Sequence, residues 1–281
     1  MGLNYTLRKG DEGQEVARLQ LAIGSINVDG EFGPKTDRAV KDYQTKNNLL
    51  VDGIAGNQTM GDLGIRVFPA IDLSRHNGTI DYGKLSNSGI KHVWIKVTEG
   101  TTHINPGYEE KFKGCRDHGI TVGAYHFGRP DTNGGTTQDA HDEAKNFLDS
   151  ASKVGIKCGD LLPVLDLEAG MKTDDQLNID WALAWLEEIS CHERVRPIVY
   201  TAKWYYDSYM KNASKHTLQQ LADYPLWLAS YNIGADATRK VPTWNSWEVW
   251  QWTGSGNVPG ITGKCDQNWI AGGQLPQLLV P

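Results

Sequence analysis

The strongest constraint on the fold is an alternation of strand-like and helix-like segments that runs from residue 69 almost to the end of the chain. Strands that are separated by helices run parallel in one sheet, because each helix carries the chain back to the edge where it started. About 200 residues of this pattern predict an α/β fold, a TIM-like (β/α) barrel. The last strands have little helix between them, so we expect the barrel to become irregular towards its C-terminus.

The predicted strands span residues 69–73, 92–97, 121–127, 161–168, 197–201, 226–231 and 248–252. The predicted helices span residues 106–118, 138–154, 176–191, 203–211 and 217–222. Active sites of such barrels lie at the carboxyl ends of the strands. We therefore expect the functional side chains where these strands end.

A repeated turn motif marks the first 65 residues. Residues 28–36 and 51–59 share the order Val-Asp-Gly-x-x-Gly-x-x-Thr. Asp-Gly forms a tight turn in which the glycine takes a positive φ. Each turn leads into a helix, and residues 15–23 and 36–44 carry apolar side chains at helical spacing. The sequence predicts a compact three-helix domain ahead of the barrel.

Composition argues against several classes of protein. The net charge is −6 and the 28 Lys and Arg residues are scattered, so nothing indicates a nucleic-acid or anionic membrane partner. No apolar run approaches the roughly 20 residues that span a bilayer, and the first residues lack the apolar core of a signal peptide. We expect a monomer, made in the cytoplasm. The four cysteines lack zinc-ligand spacing and are expected to be reduced and mostly buried.

Two carboxylates, Asp166 and Glu168, lie two residues apart at the end of a predicted strand. Side chains at this spacing share one face of a strand. Holding two acids side by side costs stability, but it can separate their pKa values so that one donates a proton while the other stays an anion. Glycoside cleavage needs that division of labour. The alternative is an acidic strand end that caps a helix or pairs with arginine.

Other polar and aromatic residues stand at the ends of the neighbouring strands. Asp72 ends the first strand, and Asp266 lies close to the C-terminus. The candidates for contacts with a sugar are Tyr125, Trp227, Tyr231, Trp250 and Glu99. Each aromatic could instead pack in the barrel, and Glu99 could pair with Lys96 or Arg75. His126 is expected to be a satisfied polar group and not a base.

The N-terminal repeat resembles the peptidoglycan-binding domain of bacterial and phage wall hydrolases. The matching features are the Gly-Asp-Glu-Gly segment at 10–13, both Asp-Gly turns, Leu19-Gln20, Ala39-Val40 and Tyr43-Gln44. The resemblance covers about 60 residues and implies docking onto glycan or stem peptide. A small helical domain with another partner is the alternative.

The rest of the chain resembles the family-25 glycoside hydrolases, lysozymes that cleave between N-acetylmuramic acid and N-acetylglucosamine. The matching motifs are Ile-Asp-Leu-Ser at 71–74, Ile-Lys-Val-Thr-Glu-Gly at 95–100, Ala-Tyr-His-Phe at 124–127, Asp-Leu-Glu at 166–168 and Asp-Gln-Asn at 266–268. The family's four acids map onto Asp72, Asp166, Glu168 and Asp266. The resemblance implies a modular phage endolysin, with a peptidoglycan-binding domain at 1–65 and a hydrolase domain at 68–281. Such enzymes often reach the wall through a holin pore.

The resemblance also implies a mechanism. Glu168 is expected to be the general acid, and Asp166 an anion that orients the 2-acetamido group of the substrate for an attack with net retention. A covalent nucleophile, Asp166 or Asp72, and an inverting scheme both stay open. Asp72 and Asp266 are expected to hold sugar hydroxyls and to tune the central pair. No metal or cofactor is expected.

Two other functions remain open. A chitinase-like β-N-acetylglucosaminidase also ends a barrel strand in Asp-x-Glu, but its two earlier acids would fall at Leu161 and Val164, where this chain has none. A non-catalytic protein that only binds the cell wall is the second alternative. A zinc amidase would need clustered metal ligands, which the sequence does not show.

Overall fold

A computed structural model of the chain describes residues 6–12, 14–65, 67–171, 174–231, 241–271 and 274–281. The chain divides into two compact units, with a boundary between Val67 and Phe68. No helix in the described ranges is both long enough and apolar enough to cross a membrane. All four cysteines are free, and Cys158 and Cys191 are exposed, so the expectation that most cysteines are buried is wrong for these two.

The first unit contains three helices, α1 (Gln14–Ile23), α2 (Pro34–Lys46) and α3 (Asn57–Asp62). Its small core is formed by apolar side chains from the helices and from the segments between them. They are Leu7, Val16, Leu19, Phe32, Val40, Ala55 and Met60. The three-helix arrangement expected from the repeat is confirmed.

The repeated motif is a pair of glutamine-centred hydrogen-bond clusters. Buried Gln20 donates to Asp29 Oδ1 at 2.7 Å and to Thr36 Oγ1 at 2.9 Å, and its carbonyl oxygen accepts the amide of Gly30 at 2.8 Å. Gln44 donates in the same way to the Asp and Thr of the second copy. Gly30 has a φ of 75°, as the predicted turn requires. Each glutamine thereby fastens one helix to the turn that follows it.

We predict that Gln20→Leu lowers the free energy of unfolding of this unit by about 1–3 kcal/mol, because buried turn groups lose their hydrogen-bond partners. Chemical denaturation followed by circular dichroism measures the change. Gln58→Leu on α3 is the matched control, because Gln58 is exposed. Equal stability of the two variants would contradict a structural role for the cluster.

The second unit is a strand-and-helix barrel. Its strands are β1 (Val67–Leu73), β2 (His92–Glu99), β3 (His103–Ile104), β4 (Thr121–Phe127), β5 (Val164–Asp166), β6 (Ile198–Ala202), β7 (Leu226–Ala229), β8 (Val249–Gly256) and β9 (Cys265–Ala271). Its helices are α4 (Tyr82–Asn87), α5 (Tyr108–Asp117), α6 (Thr137–Val154), α7 (Asp175–Glu193), α8 (Lys203–Tyr209) and α9 (Lys215–Ala222).

Eight of these strands close into a ring in the order β1-β2-β4-β5-β6-β7-β8-β9, and β9 returns to β1. Neighbouring strands from β1 to β8 run parallel, whereas β9 runs antiparallel to β8. The short β3 forms a hairpin with β2 outside the ring. The irregular C-terminal part predicted from the sequence is confirmed as this final hairpin.

Some segments differ from the predicted elements, including β3, which was not predicted. The strand expected at 161–168 is only Val164–Asp166, because Pro163 has no N–H to donate to a neighbouring strand. Strand β9 was not predicted, because the inward-facing polar residues at its start break the apolar pattern. Helix α4 has six residues, too few to show helical periodicity.

Alternation along the strands produces two layers inside the barrel. One layer is apolar and includes Trp94, Val164, Ile198, Val249 and Ile270. Two residues further towards the carboxyl ends of the parallel strands, the inward side chains are mostly polar. This second layer lines a cavity with Lys96, Asp166, Tyr200 and Gln251. The apolar layer therefore forms the floor beneath a polar mouth.

Candidate active site

The barrel mouth holds a cavity of about 250 Å³ at the carboxyl ends of the parallel strands. Six of the residues proposed from the sequence line it, namely Asp72, Asp166, Glu168, Asp266, Tyr125 and Trp227. Asp72 comes from β1, Asp166 is the last residue of β5, and Glu168 lies two residues beyond the end of that strand. The two central acids reach one cavity although Glu168 lies outside the strand that was expected to carry it.

Asp72 is held by two amide side chains. Its Oδ2 accepts hydrogen bonds from Gln251 Nε2 at 3.0 Å and from Asn268 Nδ2 at 2.9 Å. Each amide is oriented by a further donor, because Trp227 Nε1 donates to Asn268 Oδ1 at 2.9 Å and the Tyr200 hydroxyl donates to Gln251 Oε1 at 3.0 Å. Both NH2 groups are therefore directed at the carboxylate, which fixes its position.

Asp72 and Asp266 form a close pair of acids. Burial raises the pKa of Asp72, and the hydrogen bonds from Asn268, Asp266 and Gln251 oppose that rise. The pKa of Asp266 is raised by burial, by the negative charge of Asp72 and by their mutual hydrogen bond. A hydrogen bond between two carboxyl groups needs one proton. Since two amides donate to Asp72, that proton belongs on Asp266.

Asp166 and Glu168 are also shifted towards their protonated forms. Burial, and then the charge of Glu168, raise the pKa of Asp166 well above its usual value, and Asp166 Oδ1 has no hydrogen-bond partner among the described residues. Burial and the charge of Asp72 raise the pKa of Glu168, while Lys96 opposes the rise. In the free protein, burial opposes the ionised form of Asp166 expected from the sequence more strongly than the charge of Lys96 favours it. The two acids are best described as a pair that retains a proton.

Lys96 connects the cavity to an ion-pair network at its edge. Its ammonium group lies 2.8 Å from Glu99 Oε2 and 4.3 Å from the ring centre of Phe127. Glu99 Oε1 also binds Arg129 at 3.0 Å. Partial burial opposes ionisation of Glu99, but the two cations lower its pKa. Glu99 does not line the cavity. It is a counterion of Lys96, which was the alternative to a sugar contact in the sequence analysis.

Two aromatic candidates also lie outside the cavity lining. Trp250 is buried and donates its indole N–H to the carbonyl of Ser230 at 3.0 Å. Its neighbour Gln251 lines the cavity, so alternation along β8 turns Trp250 to the other face. Tyr231 is 42% exposed and follows the end of β7. A contact of either residue with a sugar is not supported by this geometry.

Tyr125 stands among the four acids, and its hydroxyl remains protonated. Burial raises its pKa well above the usual value, and the charges of Asp72, Asp166, Asp266 and Glu168 add to the rise. A buried phenol that keeps its proton can donate a hydrogen bond to a substrate oxygen.

His126, the next residue along β4, faces away from the cavity. It lies 2.7 Å from Glu143 Oε2 and 2.8 Å from Thr98 Oγ1. Burial lowers its pKa to about 3, so the ring is neutral. The expectation of a satisfied polar group is confirmed.

The residues of the site that were not proposed from the sequence include Lys96, Tyr200, Gln251 and Asn268. Lys96 and Asn268 lie inside motifs that were quoted for other members, whereas Tyr200 and Gln251 lie in strands outside those motifs. The available signal was a polar side chain at an inward position of a buried strand. Within the ranges that the structure describes, no group of three or more His, Cys, Asp or Glu side chains is arranged to hold a metal ion.

The chain is similar to known proteins over both of its units. The family model for glycosyl hydrolases family 25 matches residues 71–261, and a model for a peptidoglycan binding domain matches residues 14–63. Lysozyme M1 of Streptomyces globisporus is 25% identical over 229 residues, which cover 76% of this chain and 71% of that protein. The uncharacterized protein YegX of Escherichia coli K12 is 27% identical over 285 residues, which cover 97% of this chain and 94% of that protein.

Solved structures share the fold of the barrel. The crystal structure of the CTP1L endolysin has a TM-score of 0.62 and 27% sequence identity, and the match covers 75% of this chain and 68% of that chain. A bacterial lysozyme from Streptomyces coelicolor has a TM-score of 0.62 with 24% identity, covering 75% of this chain and 96% of that chain.

We predict that Asp166→Asn stabilises the protein at pH 7 by about 0.5–2 kcal/mol, as substitutions that relieve a functional strain do. The pKa of Asp166 is raised in the folded state, so its contribution to stability is fully present below pH 3.8 and is lost as the pH rises through the folded value. The neutral amide avoids that loss. Thermal unfolding at pH 7 and near pH 3.5 measures the difference, which should shrink at the lower pH.

The matched control is Asp149→Asn on α6, because Asp149 is exposed and pairs with Lys145 on the surface. It should change stability little at either pH. A variant Asp166→Asn that is less stable than the original chain at pH 7 would show that the buried carboxyl is not a source of strain.

Proposed function

The chain belongs to family 25 of the glycosyl hydrolases, and from this we propose that it cleaves the β-1,4 bond between N-acetylmuramic acid and N-acetylglucosamine in bacterial peptidoglycan. The observation that carries the proposal is the convergence of four carboxyl groups on one cavity at the barrel mouth. Lysozyme M1, a relative named for this activity, supports it. The N-terminal unit, which matches a peptidoglycan binding domain, would hold the enzyme on the same polymer.

Glu168 is the proposed proton donor. A glycosidic oxygen leaves poorly unless it is protonated, and a carboxyl donates near neutral pH only when its pKa is raised. Burial and the charge of Asp72 supply that rise at Glu168. As the bond between the anomeric carbon and this oxygen breaks, the proton moves from Glu168 to the departing sugar.

Asp166 is proposed to position the 2-acetamido group, whose carbonyl oxygen then attacks the anomeric carbon. The pair holds one proton, which lies on Glu168 when Asp166 is the anion and leaves with the departing sugar. The cyclic intermediate is positively charged, so it favours this anionic form of Asp166, which burial disfavours in the free protein. Glu168, now an anion, takes a proton from the attacking water, which opens the intermediate from the face where the leaving group stood. The configuration is retained after the two displacements.

Asp72, Asp266 and Tyr125 are proposed to bind the substrate around this pair. The amides of Gln251 and Asn268 hold Asp72 in place. The proton of Asp266 and the hydroxyl of Tyr125 can be donated to sugar oxygens. Trp227 presents an aromatic wall, and its indole N–H is already used by Asn268. These groups form hydrogen bonds with the substituents of the sugar. Glu168 remains the group that transfers a proton to the oxygen of the bond that breaks.

We also propose the biological role of a phage endolysin. The likeness to the CTP1L endolysin supports it. The enzyme would act on the cell wall as a monomer, after release from the cytoplasm of an infected bacterium through a holin pore. No metal or cofactor takes part in the proposed reaction.

We predict that Glu168→Gln lowers kcat on peptidoglycan by roughly 10²- to 10⁴-fold, because general acid catalysis contributes about that much. Turbidity loss of purified cell walls measures the rate, and co-sedimentation with the walls measures binding, which should persist. Glu188→Gln on α7 is the control, because Glu188 is 45% exposed and far along its helix from the cavity end. Lysis at the original rate by Glu168→Gln would falsify the assignment.

The bond that is cleaved can be identified from the new reducing ends. Digested walls are reduced with borohydride and hydrolysed, and the resulting amino-sugar alcohols are separated. We predict the alcohol of muramic acid, because cleavage after that sugar defines a muramidase. The alcohol of glucosamine would instead indicate the chitinase-like specificity. Binding without any new reducing end would indicate a protein that only attaches to the wall.

A further inference from the structure

The cavity is small for a polymer substrate. Its volume of about 250 Å³ lies just below the range of about 300–1,000 Å³ that is common for sites of small ligands. If the substrate is a glycan strand, as proposed above, the strand must continue across the surface beside the cavity. Contacts that bind the outer sugars are therefore expected on segments that follow the carboxyl ends of the barrel strands.

Trp204 is an exposed aromatic residue in such a segment. Its side chain is 53% exposed, and it is the second residue of α8, which begins directly after β6. The same strand contributes Tyr200 to the cavity lining. Large aromatic side chains are usually mostly buried, so an open indole at the end of an active-site strand has a cost that a binding role would explain.

The indole packs edge-to-face against two tyrosines. The Tyr205 ring meets it at a centroid distance of 5.9 Å and an angle of 83°, and the Tyr209 ring at 6.5 Å and 80°. Tyr205 is fully buried, so it supplies the apolar anchor of this helix. Trp204 is therefore not needed as a core residue, and its ring is a rigid surface that loses little entropy when a ligand binds.

This aromatic group is attached to the loop of the proposed acid. The Tyr205 hydroxyl donates to the carbonyl of Ala169 at 2.9 Å, and Ala169 follows Glu168 directly. Gly170 packs so closely that an added Cβ would lie 2.7 Å from the Tyr205 hydroxyl and 3.0 Å from the Tyr209 ring. The backbone after Glu168 and helix α8 thus form one packed unit, and the indole is carried by the helix that packs against the loop of the proposed acid.

Polar groups accompany the indole on the same helix. Lys203 Nζ lies 2.5 Å and 2.6 Å from the two carboxylate oxygens of Asp207. Residues three apart on a helix share a face, so Asp207 is a neighbour of Trp204. Sites that bind sugars combine an apolar surface for the C–H face of the pyranose with donors and acceptors for its hydroxyl and acetamido groups. The Trp204 platform, meaning Trp204 with Lys203 and Asp207, offers both.

We propose that the Trp204 platform is an outer sugar subsite, in which the indole stacks on a pyranose ring of the glycan strand beyond the sugars held in the cavity. This inference rests on the proposed function, because it requires a glycan substrate. The subsite contributes to the binding of long strands and makes no contact with the bond that is cleaved.

The test compares Trp204→Ala and Trp204→Phe on two substrates, isolated long glycan strands and a tetrasaccharide of the same repeat. We predict that Trp204→Ala lowers the ratio of kcat/KM for long strands to kcat/KM for the tetrasaccharide by about 3- to 10-fold, a typical effect of one aromatic contact. The rise in KM for long strands accounts for the loss. Trp204→Phe restores most of the ratio, because it keeps an aromatic face.

Lys153→Ala is the control, because Lys153 is an exposed long side chain in the last turn of α6, at the end of that helix which leads towards the amino end of β5. It should leave the ratio unchanged. An unchanged ratio in Trp204→Ala, with hydrolysis of both substrates intact, would overturn the subsite and leave the proposed function standing. Failure of the original chain to cleave either substrate would overturn the proposed function instead.

A second readout does not depend on turnover. In the Glu168→Gln protein, the indole N–H resonance of Trp204 is assigned by its loss in the double variant that also carries Trp204→Phe. We predict that this resonance shifts when long glycan strands are added. A resonance that does not move while other indoles shift would place the strand elsewhere and would overturn the proposal.

Discussion

Burial of carboxyl groups at the barrel mouth is the constraint on which the rest of the site depends. Parallel strands that end together bring Asp72, Asp166 and Glu168 to one cavity, and the hairpin of β8 and β9 adds Asp266. Desolvation is the largest cause of the raised pKa of each. Burial therefore favours one retained proton in each pair of acids at a pH where exposed carboxylates have lost theirs.

The surrounding residues set where those protons lie. Two oriented amides donate to Asp72, so the proton shared by Asp72 and Asp266 belongs on Asp266. Lys96 opposes protonation of both Asp166 and Glu168, and Glu99 and Arg129 fix Lys96 in turn. The central pair differs because no described residue donates a hydrogen bond to Asp166 Oδ1. The position of Asp72 is thus fixed by its hydrogen bonds, whereas the protonation state of Asp166 is proposed to change when the substrate binds.

Much of the fold followed from local patterns, because apolar strands and helical faces are visible in single segments. The parallel barrel and its irregular end were predicted from the order of these segments. Strand β9 was missed because its partner is the preceding hairpin strand and its inward residues are polar. Position near the ends of predicted strands indicated Asp72, Asp166, Glu168 and Tyr125, whereas Asp266 was assigned through the family resemblance.

The rest of the site depends on register and burial, which a sequence does not state. The sequence analysis proposed Trp250 for a sugar contact, but its neighbour Gln251 faces the cavity instead. A shift of one residue along a strand exchanges the two faces. Lys96 and Asn268 are inward polar residues whose partners come from distant parts of the chain. The degree of burial of Asp166, which raises its pKa, is likewise not visible in the sequence.

The proposed mechanism requires that the buried pair of Asp166 and Glu168 retains a proton under the conditions of catalysis. Carbon-13 NMR titration of the side-chain carboxyls of Asp166 and Glu168, in the free enzyme, tests it most directly. We expect the pair to take up a proton at a pH above the usual pKa values of 3.8 and 4.5, because burial raises the pKa of both groups. Two carboxylates that stay fully ionised down to pH 4.5 would contradict it.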